Sequence, residues 1–465
     1  MSARRVRHRL DRSVRSFDAG RLLLGGSPAT AFRLTDAGAR WLDGLLVGSA
    51  DGDGPVEPRP GEDRLLRRLV EVGVVHPEPE AGPRTEWPRV TMVVPVRDRP
   101  GELAALLDSV ERSGEGPDQV VVVDDGSRDP AAHRSVAAAY GARVERIDAS
   151  AGPGAARHAG VRAADHEVVV FVDSDVEVGP GWLSGLVAHL GDDGVVAVAA
   201  RVRSAAVPGW IGEYEQRNGP LDLGADPGPV GPGRRIGHVP AALLLVRRDA
   251  YLRVGGFDAD LRVGEDVDLV WRLAAAGGAV RHEPRVVVDH RPRADLRSWW
   301  SQRFGYGTSA AALDERHPGS VPPWRSSWWS LAVVAAALAG HPVAAVLTAT
   351  TTALPLVRRL SGVPPVAAVR IGLEGHVAAG ASFARASVRV WWPPLLLALF
   401  VRPTRRPAAR LLAAAVAVRW WNRGAPLPVR DIPLAVADDV AYGAGVWVGC
   451  LQQSRWGPLL PLVRR

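Results

Sequence analysis

The chain has 465 residues, of which 47% are hydrophobic, and its formal net charge is +7. This apolar content excludes a globally disordered chain, and the length allows two or three domains with a sizeable core. Cys450 is the only cysteine, which excludes a disulfide framework and a cysteine-rich zinc site and suits a reducing compartment.

The positive charge is concentrated at the N-terminus and around apolar segments near the C-terminus. A basic balance can indicate nucleic-acid binding, but no nucleic-acid-binding module is recognisable, so we expect no nucleic-acid partner. A membrane surface with anionic lipid fits this placement better. The N-terminus lacks the apolar core of a secretion signal, so we expect the catalytic part to lie in the cytoplasm.

Residues 1–80 predict a small separate unit. A strand over 22–24 ends at Gly25-Gly26, and residues 34–46 have helical spacing with Thr35 or Asp36 as N-cap. A second helical pattern covers 65–70, and a short strand follows at 74–75. Short strands around two or three helices predict a winged-helix-like unit, with a helical adaptor as the alternative. The stretch 77–88 is rich in Pro and Glu, and residues 81–88 within it predict a linker.

Residues 89–320 predict an α/β domain. Apolar strands are expected over 90–96, 120–123, 144–147 and 168–172, with helices over 103–110, 131–140 and 155–164. Continuous apolar runs separated by helices indicate a parallel sheet covered on both faces. Because ligands bind beyond the carboxyl ends of such strands, polar residues at those ends are candidate site residues.

The first two strands end in polar clusters. Pro95 and Arg97 lie at the end of the first strand, where a turn can touch a nucleobase. Asp124 and Asp125 follow the second strand, and their carboxylates can accept hydrogen bonds from a nucleobase imide or a ribose hydroxyl. An ordinary Asx turn is the alternative interpretation. The segment 152–157 predicts a turn and a helix start, with Arg157 as a candidate diphosphate contact.

Two carboxylates follow the fourth strand, at Asp173 and Asp175. Negative charge crowded at a strand end is unfavourable unless a cation compensates it. A hard divalent ion that bridges to a diphosphate provides this compensation, and it stabilises charge on a leaving nucleotide. Asp173 and Asp175 therefore predict a metal and donor site, with a solvated acidic turn as the alternative. His290, at the end of a later apolar strand, is a further candidate ligand.

Three acids, Glu265, Asp266 and Asp268, stand at a predicted helix start. One of them can deprotonate an acceptor hydroxyl as a general base, and helix capping is the alternative. The other two are candidates for the acceptor side of the site.

Residues 321–465 predict an apolar helical region. The segment 328–357 contains no formally charged residue and is long enough to cross a hydrocarbon core of about 30 Å. His341-Pro342 interrupts it, and tryptophans mark one edge. The apolar segments 391–401 and 411–418 are too short to span alone. Membrane association is expected, as a spanning hairpin or an in-plane attachment, with a buried helical subdomain as the alternative.

The ordered motifs resemble family 2 glycosyltransferases of the GT-A fold. They are Val-Pro-Val-Arg-Asp-Arg (94–99), Asp-Asp-Gly-Ser (124–127), Gly-Pro-Gly-Ala-Ala-Arg (152–157), Asp-Ser-Asp (173–175), Gly-Gly-Phe-Asp (255–258) and Gly-Glu-Asp (264–266). The resemblance implies a nucleotide-diphospho-sugar donor, a Mg²⁺ or Mn²⁺ ion and an inverting displacement, with Asp266 as the base. Arg97-Asp98 replaces the more usual Tyr-Asn pair, and the motif of processive cellulose-type synthases is missing.

The order of segments along the whole chain resembles the mycofactocin-system glycosyltransferases more particularly. That resemblance implies transfer of glucose from UDP-glucose to a peptide-derived redox cofactor, and it implies a peptide-binding role for the N-terminal unit. A transferase acting on a lipid-linked acceptor of the cell envelope is the enzymatic alternative. A non-catalytic sugar-nucleotide-binding scaffold is the alternative of another class.

Overall fold

The computed structural model describes residues 6–51, 60–421 and 427–464. Contacts along the chain divide it into two compact units, Met1–Pro292 and Arg293–Arg465. The predicted domain boundary near residue 320 thus differs from this division, which falls after Pro292.

The N-terminal part of the first unit combines short strands with two helices. Its elements are β1 (Val6–Leu10), β2 (Arg15–Phe17), β3 (Leu22–Gly25), β4 (Thr30–Arg33), α1 (Asp36–Asp51), α2 (Pro60–Val72) and β5 (Val75–Pro79). β2, β3 and β4 form an antiparallel sheet, and β1 pairs with β5. Leu42 and Leu69 on the two helices pack with Leu23 and Val74 in one apolar core. Both predicted strands and both predicted helices are therefore present.

The segment predicted as a linker is held against the next domain. It contains a 3₁₀ turn, Arg84–Glu86, and the Trp87 indole donates to the Gly82 carbonyl over 2.7 Å. Arg84 donates to the Gly116 carbonyl and to the Asp118 carboxylate, both over 3.1 Å. These bonds fix the start of the next strand.

The described residues after the linker form a nine-stranded sheet. Its strands are β6 (Val90–Val96), β7 (Gln119–Asp125), β8 (Arg143–Ile147), β9 (Val168–Val172), β10 (Val176–Glu177), β11 (Val195–Ser204), β12 (Gly228–Pro229), β13 (Leu243–Arg247) and β14 (Ala279–His290). The strand order is β10-β14-β11-β13-β9-β6-β7-β8, and β12 pairs with β14.

The sheet is mixed, which corrects the prediction of a parallel sheet. β6, β7, β8 and β9 are parallel, as predicted, but β13 runs antiparallel to both of its neighbours. β13 is a continuous buried apolar run at the centre of the sheet. Such a run fits a central strand in either direction, so the sequence pattern does not report the strand direction.

Helices cover the sheet, as the α/β prediction requires. They are α3 (Pro100–Arg112), α4 (Pro130–Ala139), α5 (Pro153–Arg162), α6 (Trp182–Val187), α7 (Trp210–Asn218), α8 (Arg248–Arg253) and α9 (Glu265–Ala275). Leu103 and Leu106 of α3 and Trp182 of α6 are buried in one cluster with the sheet side chains Met92 and Val170. Burial of a large apolar side chain contributes about 1.5–3 kcal/mol, so this cluster provides a rigid base for the loops at the sheet edge.

The second unit is largely helical. Its elements are α10 (Leu296–Arg316), β15 (Arg325–Ser327), α11 (Trp328–Ala339), α12 (Pro342–Arg359), α13 (Pro365–Arg389), α14 (Trp392–Phe400), α15 (Arg402–Trp421), α16 (Ile432–Gln453) and β16 (Leu462–Arg464). β15 and β16 pair in parallel. The prediction of a helical C-terminal region is confirmed.

The uncharged segment 328–357 is divided between two helices that pack on each other. α11 ends at Gly340, which has a left-handed backbone with φ of 88°, and Pro342 begins α12. In the described chain the apolar helix that is long enough to cross a membrane is instead the one in Val429–Gln453.

That helix is packed within its unit. It contacts α10 along its length, and more than half of its most apolar window is buried. Asp438 and Asp439 lie in its interior and pair with Arg303, Arg389 and Arg419. Buried paired charges and close contact with α10 are typical of a core helix.

Candidate active site

The parallel strands bring their carboxyl ends to one edge of the sheet. Val96 of β6 pairs with Asp124 of β7, and Asp173 directly follows β9. Pro95 lies within β6 and pairs with Val123, while Arg97 begins the loop that follows. The strand register therefore gathers the predicted clusters at the same edge.

Asp124 is buried and bound within the protein. It accepts a hydrogen bond from the backbone N–H of Ser127 over 2.9 Å and one from Arg146 Nη1 over 2.5 Å. Burial opposes its charged form, but the Ser127 hydrogen bonds and the Arg146 guanidinium outweigh this and lower its pKa. Asp124 is therefore an ionised anchor for the loop after β7.

Asp125 shapes the neighbouring loop. Its carboxylate accepts hydrogen bonds from Ser150 Oγ over 2.8 Å and from the N–H groups of Ala151 and Gly152 over 2.7 and 3.1 Å. Arg97 donates to the same Ser150 hydroxyl over 3.0 Å. A carboxylate has about four acceptor positions, so Asp125 keeps capacity for a ligand.

The turn after Asp125 requires glycine. Gly126 has φ of 71°, and a Cβ at this position would lie 2.7 Å from the backbone nitrogen of Ser150. The loops after β6 and β7 are also joined, because the Asp98 N–H donates to Ser127 Oγ over 2.9 Å. The nucleotide-side loops thus support each other through backbone and hydroxyl bonds.

Arg157 joins two acids from opposite sides of the site. Its Nη2 donates to Asp173 over 2.5 Å and its Nη1 donates to Glu265 over 2.9 Å. The guanidinium is buried and lies over the Phe257 ring, 5.5 Å from the centroid. Arg157 therefore connects the end of β9 to the start of α9.

Glu265 is buried at the first position of α9. Burial and the nearby Asp266 charge raise its pKa to about 7, although Arg157 acts in the opposite direction. A carboxyl group with a pKa in this range exchanges its proton near neutral pH.

Asp175 lies between a cation and an imidazole. Arg99 Nη1 donates to its Oδ2 over 2.6 Å, and His290 Nε2 lies 3.3 Å from its Oδ1. The second contact follows from strand pairing, because Val176 and His290 are partners between β10 and β14. The structure thus brings Asp175 and His290 together and pairs Asp173 with Arg157.

These residues fit a divalent cation in their donor chemistry. Carboxylate oxygens suit Mg²⁺ and Mn²⁺, and imidazole suits Mn²⁺. Two donor atoms 3.3 Å apart can both lie about 2.1 Å from one ion. Among the residues that the structure describes, there is no group of three or more His, Cys, Asp and Glu side chains that could hold a metal ion. Arg99 and Arg157 neutralise the acids in this arrangement.

Asp266 and Asp268 have different surroundings on α9. Asp266 is half-buried and accepts hydrogen bonds from the N–H groups of Val267, over 2.8 Å, and Ala241, over 3.3 Å. Asp268 is buried and binds Arg272, which also donates to the Gly256 carbonyl over 2.7 Å. Asp268 therefore orients Arg272, which ties α9 to the 254–256 loop.

Sequence reasoning missed the arginines that pair with the acids. Arg99 binds Asp175, and Arg146 binds Asp124. His133 is a third missed residue, whose Nε2 accepts the Arg99 N–H over 3.2 Å. Arg99 and Arg146 lie at the same sheet edge as the acids. Their position near the ends of predicted strands was the sequence signal that could have identified them.

Comparison with known proteins identifies relatives. The model of Glycosyl transferase family 2 matches residues 91–251. A pre-mycofactocin glycosyltransferase of Mycobacterium tuberculosis is 37% identical over 98% of this chain and 97% of the relative. An N-acetylglucosaminyl-diphospho-decaprenol L-rhamnosyltransferase of the same organism is 30% identical over 52% of this chain and 86% of its own.

A solved structure of a mannosyltransferase from Pyrobaculum calidifontis, in complex with GDP-Man and Mn²⁺, is 22% identical. It covers 72% of this chain and 88% of that one, with a TM-score of 0.39.

Proposed function

This chain belongs to glycosyl transferase family 2, and we propose that it transfers glucose from UDP-glucose to a hydroxyl group of a mycofactocin precursor. That it is a glycosyltransferase follows from the family, whereas the donor and acceptor are our proposal. The observation that supports the proposed acceptor is the 37% identity over 98% of the chain to a pre-mycofactocin glycosyltransferase. In this proposal the acceptor is derived from a peptide and receives one or more sugars.

The donor binds at the sheet edge in this proposal. The loops held by Asp124 and Asp125, together with Pro95 and Arg97, contact the nucleoside. Asp173 and Arg157 contact the sugar diphosphate, which requires their mutual hydrogen bond to open or to be shared. Support comes from the common edge on which the strand register gathers these side chains.

Asp266 is the proposed general base. It removes the proton from the acceptor hydroxyl as the acceptor oxygen forms a bond to the anomeric carbon. The bond from that carbon to the diphosphate oxygen breaks, and its electron pair leaves with the nucleoside diphosphate, so the anomeric configuration inverts. Asp266 suits this role because it is half-buried and carries hydrogen bonds from backbone N–H groups that fix its orientation. Glu265 lies beside it and, like Asp268 on the same helix, is an acceptor-side candidate.

A Mg²⁺ or Mn²⁺ ion held by Asp175 and His290, with Asp173 joining once its hydrogen bond to Arg157 opens, would stabilise the negative charge on the departing diphosphate. Arg99 and His290 hold the Asp175 side chain in place before any ligand binds.

We place the enzyme at the cytoplasmic face of the cell membrane. Exposed apolar side chains on the helices of the C-terminal unit support contact with the membrane. The N-terminal unit, with its strands around two helices, is the proposed peptide-binding part of the chain.

A second candidate is a transferase that builds a cell-envelope glycolipid on a lipid-linked acceptor. The 30% identity to a rhamnosyltransferase with a diphospho-decaprenol acceptor, over 52% of this chain, favours it. A non-catalytic scaffold is less well supported, since Asp173, Asp175 and Asp266 are all present.

The test incubates the purified chain with a panel of nucleotide sugars, with and without EDTA, and with peptide-derived or lipid-linked acceptors. We expect transfer from UDP-glucose to the peptide-derived acceptor and loss of transfer with EDTA. Transfer only to the lipid-linked acceptor would favour the second candidate. If the chain neither hydrolyses nor transfers sugar from any of these donors, both candidate functions are contradicted.

A further inference from the structure

An apolar groove of about 1020 Å³ lies between α12 and α13 on the C-terminal unit. Its apolar wall is formed by side chains of both helices, namely Leu354, Pro355, Val357, Val366, Val369 and Leu373. The exposed fraction is 82% for Val366 and 52% for Leu354, so the groove opens to its surroundings.

The surface beside the groove is also apolar. Six large apolar side chains of the two helices are each more than half exposed. They belong to Val343, Val346, Leu347, Leu354, Val366 and Val377. The first four follow the spacing i, i+3, i+4 and i+11, which places them on one face of α12. We call these six residues the apolar face. Large apolar side chains exposed in this way are typical of an interaction site, because their contact with water is unfavourable.

The same groove carries positive charge. Arg358, Arg359 and Arg370 line it together with the apolar wall. Glu374 is the one acidic residue in the sequence 342–389, and it binds Arg370 over 2.8 Å. One carboxylate against three guanidinium groups leaves the groove positive. Its chemistry therefore fits an amphiphile with an anionic head and apolar chains.

The length of the helices excludes α11 and α12 as separate spans. α11 has 12 residues and α12 has 18, against the roughly 20 that a spanning helix needs. α12 also ends in Arg358 and Arg359 and contains Pro355. Apolar and basic side chains on one surface suit a helix pair that lies in the plane of the lipid headgroups.

We propose that the α12–α13 groove binds an anionic phospholipid of a bilayer, with the phosphate at the three arginines and acyl chain along the apolar wall. The apolar face then enters the lipid surface beside it. This inference deepens the membrane location in the proposed function, and it does not depend on which sugar or acceptor the enzyme uses.

The test is flotation of the full chain with lipid vesicles. Phosphatidylcholine vesicles with and without about 30% phosphatidylglycerol separate lipid charge from lipid surface. We expect binding to the anionic vesicles, and we expect R358Q/R359Q/R370Q to weaken it at least about tenfold. The matched control is R64Q/R67Q/R68Q, which removes the same charge from exposed positions on α2 and should leave binding within about threefold of wild type.

A second pair of variants tests the apolar contribution. Val366→Ser should weaken vesicle binding, whereas Leu252→Ser, at an exposed position on α8, should not. Equal binding to neutral and anionic vesicles would overturn the inference. Vesicle binding that is unchanged by the groove substitutions would also overturn it. So would a stable oligomer that buries the apolar face and dissociates on Val366→Ser without any vesicle binding.

The two proposals fail in different ways. Hydrolysis or transfer of nucleotide sugar in lipid-free solution should be unchanged in the groove variants. A wild-type chain that binds vesicles but has no activity with any nucleotide sugar would contradict the proposed function and leave the lipid groove standing.

Discussion

Arg99 donates a hydrogen bond from Nη1 to Oδ2 of Asp175 over 2.6 Å. Asp175 is nearly buried, and its other oxygen lies 3.3 Å from His290. The guanidinium thus supplies positive charge at the carboxylate that we propose as a metal ligand. A divalent cation bound to this carboxylate would compete with the Arg99 guanidinium for the same negative charge, because two cations close together repel each other.

Arg99→Gln should therefore strengthen Mn²⁺ binding, by at least about threefold, because it removes a positive charge beside the ion. Asp175→Asn should weaken it. Arg97→Gln is the matched control, since Arg97 donates to Ser150. Titration of Mn²⁺ followed by electron paramagnetic resonance measures the affinities. Equal affinities for Arg99→Gln and wild type would show that Arg99 does not compete with the ion.

Asp266→Asn should lower the rate of sugar transfer by about 10²-fold or more, because the amide cannot accept the proton of the acceptor hydroxyl. The control is Asp260→Asn, at an exposed acid on the preceding loop, which should keep the wild-type rate. Steady-state transfer from UDP-glucose gives both rates. Activity of Asp266→Asn within about threefold of wild type would remove Asp266 from the role of base and direct attention to Glu265.

The raised pKa of Glu265 predicts that the free energy of unfolding depends on pH. Burial and Asp266 raise its pKa to about 7 from an ordinary value of 4.5, so the folded state favours its protonated form. This contribution to stability is complete below about pH 4.5 and is lost as the pH rises through about 7. The free energy of unfolding of wild type relative to Glu265→Gln should therefore fall across this range. Urea denaturation at several pH values measures it, and a difference independent of pH would contradict the prediction.

An ion pair between a buried carboxylate and a partly exposed arginine connects the N-terminal unit to the loop before β13. Asp11 accepts hydrogen bonds from His76 Nε2 over 2.7 Å and from Arg235 Nη2 over 2.9 Å. Its side chain is only 3% exposed. These contacts, and the bond from Arg234 Nη1 to the Glu71 carbonyl over 2.6 Å, hold the loop that leads to Ala241, the donor to Asp266.

Asp11→Asn should reduce the free energy of unfolding by about 2 kcal/mol, because it weakens charged hydrogen bonds in a buried place. Asp36→Asn is the control, since Asp36 pairs with Arg21 at the surface and should change stability by less than about 1 kcal/mol. Chemical denaturation compares the two, and hydrogen exchange should become faster across residues 234–241 in Asp11→Asn alone. Similar effects of both substitutions would contradict the connection.

The sequence predicted the parallel half of the sheet because most strands there are short apolar runs followed by a helix. β6 and β7 have this form, and β9 is a buried apolar run that follows the helix α5. It did not predict the direction of β13, since a strand buried on both faces is apolar whichever way it runs. The break between α11 and α12 was visible at His341-Pro342, but the packing of α16 was not, because its buried aspartates depend on arginines distant in sequence.

The acids of the site were predictable for a related reason. Asp124 and Asp173 stand where a strand ends, and strand register then brings them to one edge. Arg157, the partner of Asp173, was a candidate from sequence, but the pairing of particular arginines with particular acids was not predictable, because all 57 lysine-or-arginine positions of this chain are arginine. Arg99 and Asp175 are 76 positions apart, so the pair depends on the fold.

The contact between α10 and α16 depends on glycine and yields the last prediction. A Cβ at Gly307 would lie 2.0 Å from the Tyr442 carbonyl oxygen, and one at Gly445 would lie 2.0 Å from that of Phe304. Gly307→Ala must therefore separate two backbones, at a cost of about 1–3 kcal/mol or more. Gly375→Ala is the control within α13, because no heavy atom of the described residues outside the local backbone of its own helix lies within 4 Å of the added methyl group, and it should be neutral or stabilise the helix by about 0.5–1 kcal/mol. Hydrogen exchange of α16 amides should accelerate in Gly307→Ala and remain as in wild type in Gly375→Ala. Unchanged exchange in Gly307→Ala would mean that the two helices do not pack this closely.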